Sequence, residues 1–177
     1  MLKNNKKNLE LPNSFIPTVR QICIVTRDLD QMVRRYADEL GIGPWWINNY
    51  EAPDLTDTTY HGRSSSYSMK LALAWTGDIN WEIIEPIKGP NIYEDFLESN
   101  EFGIQHIGIM LSDLGMSWSE CHHLFKDRGF EVIQEGRWKQ VQFCYFNTLQ
   151  ATGTIIEVID RPASFVRPEP LYWYPTK

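Results

Sequence analysis

The sequence predicts an α+β fold: two βαβββ modules that pair into one mixed sheet, with a helix outside each. Three observations predict it. The segment Gln21-Ile22-Cys23-Ile24-Val25-Thr26-Arg27-Asp28-Leu29 is echoed by His106-Ile107-Gly108-Ile109-Met110-Leu111-Ser112-Asp113-Leu114, so that Ile22 falls on Ile107, Ile24 on Ile109, Asp28 on Asp113 and Leu29 on Leu114. The closings also match: Asn80-Trp81-Glu82-Ile83-Ile84-Glu85-Pro86 against Ile155-Ile156-Glu157-Val158-Ile159-Asp160-Arg161-Pro162. Between opening and closing, each copy runs from a β-branched strand through a helical stripe into further strand-like stretches. The length of 177 residues suits a single compact unit holding both copies.

The elements follow in order. Residues 1–18 form a polar, Asn-rich tail whose Lys3, Lys6 and Lys7 are expected on a frayed end. The first module spans 19–86. After its opening strand, Asp28 or Asp30 can cap a helix carrying Leu29, Met32, Val33, Tyr36 and Leu40, and Gly41 can stop it. Strands are expected at Trp45 to Tyr50, Tyr67 to Trp75 and Ile79 to Glu85, the middle one alternating clearly. The stretch between Tyr50 and Tyr67, with Pro53, Gly62 and a Ser run, reads as a long loop. A linker over 87–103 has room for a short helix with Tyr93, Phe96 and Leu97. In the second module, 104–162, Asp113 offers the helix cap, with Leu114, Trp118, Cys121 and Phe125 on one stripe and Gly129 at the stop. Strands are expected at Phe130 to Gln134, Val141 to Asn147 and Thr154 to Ile159. The tail 163–177 carries Pro168, Pro170 and Pro175, which argue against regular structure. Its Leu171, Tyr172, Trp173 and Tyr174 suggest packing on the body or on a partner subunit.

Composition excludes several functions. A net charge of −6 argues against nucleic acid, whose binding needs clustered cations. No apolar run is long enough to span a membrane, and the N-terminus lacks a signal-peptide core. Cys23, Cys121 and Cys144 show no C-x-x-C spacing and read as small buried residues of a reducing compartment, so a cytoplasmic protein is expected. Aromatic residues make up 13% of the chain, more than a core of this size needs, which suits a pocket for an apolar or planar ligand as well as a β-rich core.

The opening and closing strands each carry one polar residue inside an apolar run: Gln21, Glu82, His106 and Glu157. Burying a carboxylate needs compensation, and a divalent cation compensates two at once. The donor set of two carboxylates, an amide oxygen and an imidazole suits Zn, Ni, Co, Mn or Fe and leaves positions open for a substrate. Each residue also has a plain reading: Gln21 on a strand edge, His106 as a satisfied core histidine, the two glutamates facing solvent. The repeat favours the metal, because all four occupy corresponding places.

This duplicated module, with candidate ligands on its first and last strands, resembles the vicinal oxygen chelate superfamily, which includes glyoxalase I, methylmalonyl-CoA epimerase, extradiol dioxygenases and bleomycin-resistance proteins. The resemblance covers about residues 19–162 and rests on Gly103-Ile104-Gln105-His106-Ile107 and the two glutamate-bearing closings. It implies a glyoxalase-like cup, a divalent metal on Gln21, Glu82, His106 and Glu157, and a homodimer. It also implies metal-dependent proton abstraction beside a carbonyl: isomerisation, epimerisation or lyase chemistry on a small apolar or aromatic substrate. Glu157 is the first choice for the base and Glu82 the second. Trp46, Tyr67, Trp75, Phe143 and Tyr145 are candidate pocket residues, though each can equally face the helices. Trp45, Trp81 and Trp138 also lie on or beside cup-forming strands. His61 can reach a substrate from the long loop, whereas His122 and His123 are expected on a helix surface. The alternative is a non-catalytic protein that binds or sequesters a small molecule on the same scaffold.

Overall fold

The structure is a computed structural model that describes residues 15–176. Lys3, Lys6 and Lys7 lie outside the described residues.

The first module begins with β1 (Gln21–Thr26) and α1 (Leu29–Leu40). Asp28 caps α1 by accepting from the Gln31 N–H at 2.9 Å. Gly41 ends it at φ +69°, a left-handed position that costs glycine little. Next come β2 (Trp45–Tyr50), β3 (Leu55–Tyr60), β4 (Arg63–Ser64), β5 (Ser68–Thr76) and β6 (Ile79–Lys88). The linker holds α2 (Ile92–Leu97), capped by Asn91. The second module contains β7 (Phe102–Met110), α3 (Leu111–Leu114), α4 (Trp118–Lys126), β8 (Val132–Trp138), β9 (Val141–Phe146), α5 (Leu149–Thr152) and β10 (Ile155–Asp160). The tail adds β11 (Tyr172–Tyr174).

All strands join one sheet in the order β11-β2-β5-β6-β1-β7-β10-β9-β8-β3-β4. From the centre outward the halves match: β1 pairs parallel with β6, then β5 and β2; β7 pairs parallel with β10, then β9 and β8. β1 and β7 meet antiparallel at the centre, so Ile22 lies opposite Ile107, its own counterpart in the repeat. The sheet curls until its two sides touch. Tyr50 of β2 stacks on Trp138 of β8 at 4.1 Å between centroids, and Trp46 meets the same ring edge-on at 5.9 Å.

Burial follows from alternation along the strands. Ile24 and Ile83 face outward under Leu29, Met32 and Val33 of α1. Ile109, Phe146 and Val158 face outward under Cys121 and Phe125 of α4. Cys23, Val25, Leu71 and Ile84 face inward, and α2 plugs one end of the cup with Ile92, Tyr93 and Leu97. The other end stays open.

Three expectations need correction. The stretch between Tyr50 and Tyr67 is the β3–β4 hairpin, which crosses over and extends the second module by pairing with β8. Its Thr- and Tyr-rich run is strand-prone, and the exposed edge of β8 supplies partners. The proline-containing tail likewise forms β11 on the edge of β2, because three proline-free residues suffice for a short edge strand. Asp113 does not cap the second helix. Gly115 breaks the chain at φ +65°, and Ser117 with Glu120 forms a capping box for α4, leaving Asp113 to take a bidentate bond from Arg20 at 2.7 and 3.2 Å.

Candidate metal centre and substrate cleft

Strand register brings the four polar residues together. Gly108 of β7 lies between Gln21 on β1 and Glu157 on β10. In the adjacent row, Cys23 lies between Glu82 on β6 and His106 on β7. Positions two apart share a face, so both rows point into the cup. Gln21, Glu82 and Glu157 are 4–6% exposed and His106 is fully buried.

The contacts are short. Gln21 Nε2 donates to Glu82 Oε2 at 2.8 Å and to Glu157 Oε2 at 2.9 Å. His106 Nε2 lies 3.2 Å from Glu82 Oε2 and 3.5 Å from Glu157 Oε2. His106 Nδ1 donates to Gln105 Oε1 at 2.7 Å, and Gln105 Nε2 donates to the Ile92 carbonyl at 2.9 Å. That relay fixes the ring and turns Nε2 toward the carboxylates. Burial alone would lower the His106 pKa, but hydrogen bonds and charge from Glu157 and Glu82 outweigh it and raise it to about 9. Burial raises the Glu82 pKa, reinforced by the Glu157 charge and opposed by His106. Burial, followed by the Glu82 and Glu157 charges, pushes the Cys23 thiol well up, so Cys23 keeps its proton at neutral pH.

These residues fit a divalent cation. The would-be ligand atoms that meet are His106 Nε2 with Glu82 Oε2 at 3.2 Å and with Glu157 Oε2 at 3.5 Å, close enough for neighbouring donors to one cation. The place between the two carboxylates favours a positive charge, which a protonated His106 or a divalent ion can supply. A divalent ion would replace that proton and draw the Gln21 carbonyl oxygen, in place of its amide N–H, toward the centre. Cys23 also lies near Glu82 and His106, with all three potential ligand atoms within 4.8 Å of one another.

The centre floors a cleft of about 730 Å3 whose lining includes Gln21, Glu82 and Glu157. Tyr50, Trp75, Trp138, Phe143 and Phe165 supply its aromatic wall; Arg20, Arg161 and Arg167 supply its cations.

The family model for the glyoxalase, bleomycin resistance protein and dioxygenase superfamily matches residues 20–145. The chain belongs to this superfamily. Solved structures agree on the fold, and the vicinal oxygen chelate architecture is therefore plain. A hypothetical protein from Bacillus halodurans C-125 is 18% identical with a TM-score of 0.62, covering 85% of this chain and 98% of that one. Methylmalonyl-CoA epimerase from Mycobacterium tuberculosis is 16% identical with a TM-score of 0.58, covering 86% and 93%. A variant of the Streptomyces coelicolor epimerase, solved with 2-nitronate-propionyl-CoA, is 16% identical with a TM-score of 0.59, covering 84% and 99%. No curated protein matches the chain.

Within this superfamily scaffold, two of the five expected pocket residues, Trp75 and Phe143, line the cleft. The other three do not line it. Trp46 is 1% exposed and donates to the Pro168 carbonyl. Tyr67 donates to the Glu135 carbonyl. Tyr145 shares a hydrogen bond with Tyr93 and meets His106 edge-on at 5.0 Å. Trp45 lies under α1, and Trp81 packs partly buried on the same outer face. His61 lies outside the cleft, near Asp95 at 3.7 Å. His122 is half-buried, packing against Trp118 and Phe146, while His123 is exposed. Sequence alone does not mark Gln105, Tyr50, Phe165 and Arg167 as site residues. Gln105 stands in the very segment that carries the resemblance, whereas Phe165 and Arg167 reach the cleft only through the path of the tail.

Proposed function

We propose that the protein is a divalent-metal-dependent enzyme that moves a proton on a carbon beside a carbonyl. Its substrate would be small and apolar or aromatic. The observation that supports this most is the convergence of Gln21, Glu82, His106 and Glu157 at the floor of an aromatic-walled cleft. These four residues would hold the metal, which when bound supplies Lewis acidity that stabilises an enolate oxygen.

The chain's own residues divide the remaining work. Glu82 accepts from Gln21 at 2.8 Å and lies 3.2 Å from His106. Glu157 accepts from Gln21 at 2.9 Å and lies farther from His106, at 3.5 Å. Both carboxylates border the cleft, and Glu157 is the proposed base, with Glu82 second. Its low exposure keeps bulk water from competing for the proton. His106, held by Gln105, fixes the geometry from below, while the rings above orient an apolar body.

The test is deuterium exchange in D2O, using metal-loaded protein and a panel of carbonyl compounds with acidic α-C–H bonds. The panel includes phenylpyruvate and 2-methyl-substituted acyl thioesters. The wild type should accelerate exchange on at least one compound, and Glu157→Gln should return it to background while still binding it. Exchange at background across the panel would point instead to a binding or sequestering protein. That second reading is favoured by one observation: Gln21, Glu82, Glu157, His106 and Gln105 hydrogen-bond among themselves.

A further inference from the structure

Arg167 enters the cleft from the C-terminal tail. Its guanidinium lies 5.1 Å from the Trp46 ring centroid and 5.2 Å from that of Trp75, so two indoles hold the cation. The tail is tied down on both sides of it. The Pro168 carbonyl accepts from Trp46 Nε1 at 2.9 Å, Phe165 packs on Trp138, and β11 pairs with β2. Among the described residues, no carboxylate lies within 4.0 Å of the guanidinium. Arg161, at the end of β10, is a second cleft cation without such a partner, whereas Arg20 is neutralised by Asp113.

A half-buried, always-charged group without a counterion is costly unless something completes it. The Tyr50 hydroxyl is the foremost polar partner of Arg167 and the Glu82 charge acts on it more weakly; neither makes an ion pair with it, and a divalent ion in the cluster would use up the Glu82 charge. The cleft then retains unpaired guanidinium charge directly beside aromatic walls.

We propose that Arg167 is a specificity-determining residue that receives the carboxylate of the substrate, making the substrate an organic acid with an aromatic or apolar body. The planar fork of a guanidinium matches a carboxylate in two hydrogen bonds, and the two indoles hold the group at the cleft before the ligand arrives. The tail is then part of the recognition apparatus. This names the substrate class of the cleft and rests on the functional reading given above, but the guanidinium is present whether or not metal is bound.

The test is titration of the full-length, EDTA-treated protein with phenylacetate and with phenylacetamide, its neutral counterpart, followed by tryptophan fluorescence. Phenylacetate should bind about tenfold more tightly or better. Arg167→Gln should bring the two ligands within about twofold of each other, Arg167→Lys should keep part of the preference, and Arg161→Gln should change it little. Circular dichroism of each variant checks that the fold survives. A wild type that binds the two alike or not at all, an Arg167→Gln that keeps the preference, or a preference lost only in Arg161→Gln would each overturn the proposal. Repeating the titration with Mn2+ separates the two readings: failure to take up metal counts against the catalytic one, while a carboxylate preference in the metal-free protein still supports this one.

Discussion

A methyl group added at Gly108 would sit 2.8 Å from Gln21 Cβ and 3.2 Å from Glu157 Oε2. The first of these contacts is with the stem of a side chain on a paired strand, so it cannot swing away. Gly108→Ala is expected to cost about 1–3 kcal/mol in urea unfolding and to weaken divalent-ion binding in calorimetry, because both neighbours belong to the candidate centre. Unchanged stability together with unchanged metal affinity would contradict that. Gln105 acts differently, through the ring it orients. Gln105→Leu should leave the fold intact but lower metal affinity about 10- to 100-fold in chelator competition. At this scale the four candidate ligands were legible because each is chemically out of place in an apolar strand and each recurs in the second copy. Gly108 was legible only as part of the repeat, since its role is a distance between strands. Trp46, Tyr67 and Tyr145 face inward without lining the cleft, because alternation says which face a residue takes but not which neighbours cover it.

The strands that sequence alone does not show lie at the edges of the sheet, and the short helix α5 is likewise unmarked. The β3–β4 hairpin and β11 depend on distant partners, β8 and β2, so their local signal is weak. The internal elements, such as α1 with its Asp28 cap and Gly41 stop, carry their own signals and were legible. The tail's attachment has a predictable pH dependence. The Tyr172 hydroxyl and Lys70 both bond Asp30 of α1. Burial raises the Asp30 pKa, but these partners outweigh it and lower it below the usual 3.8. A depressed carboxyl pKa stabilises above the unfolded value and loses that contribution as pH falls through the folded one. The anchor should therefore hold from about pH 4 upward and fail in stronger acid. The amide resonances of Tyr172 to Tyr174 should move in acid, and Asp30→Asn should produce the same change at neutral pH. Amides that stay put in the variant would contradict the assignment.

At the scale of the whole molecule, the duplication does the essential work. Neither half makes the centre alone: Gln21 and Glu82 come from the first module, His106 and Glu157 from the second, and the antiparallel β1–β7 pair sets them face to face. Closure of the cup by Tyr50 and Trp46 on Trp138 then gives the centre an aromatic wall. The excess of rings noticed in the composition divides accordingly, some under the helices, some bracing the sheet seam, and a few in the cleft. Calorimetric titration of EDTA-treated protein with Mn2+, Co2+ or Zn2+, paired with melting curves, tests the central claim most directly. One ion per chain is expected, with a rise in melting temperature of about 5–10 °C at a hundredfold excess over the dissociation constant, both lost in Glu82→Gln. No stoichiometric ion, with melting unchanged by any of the three metals, would contradict it.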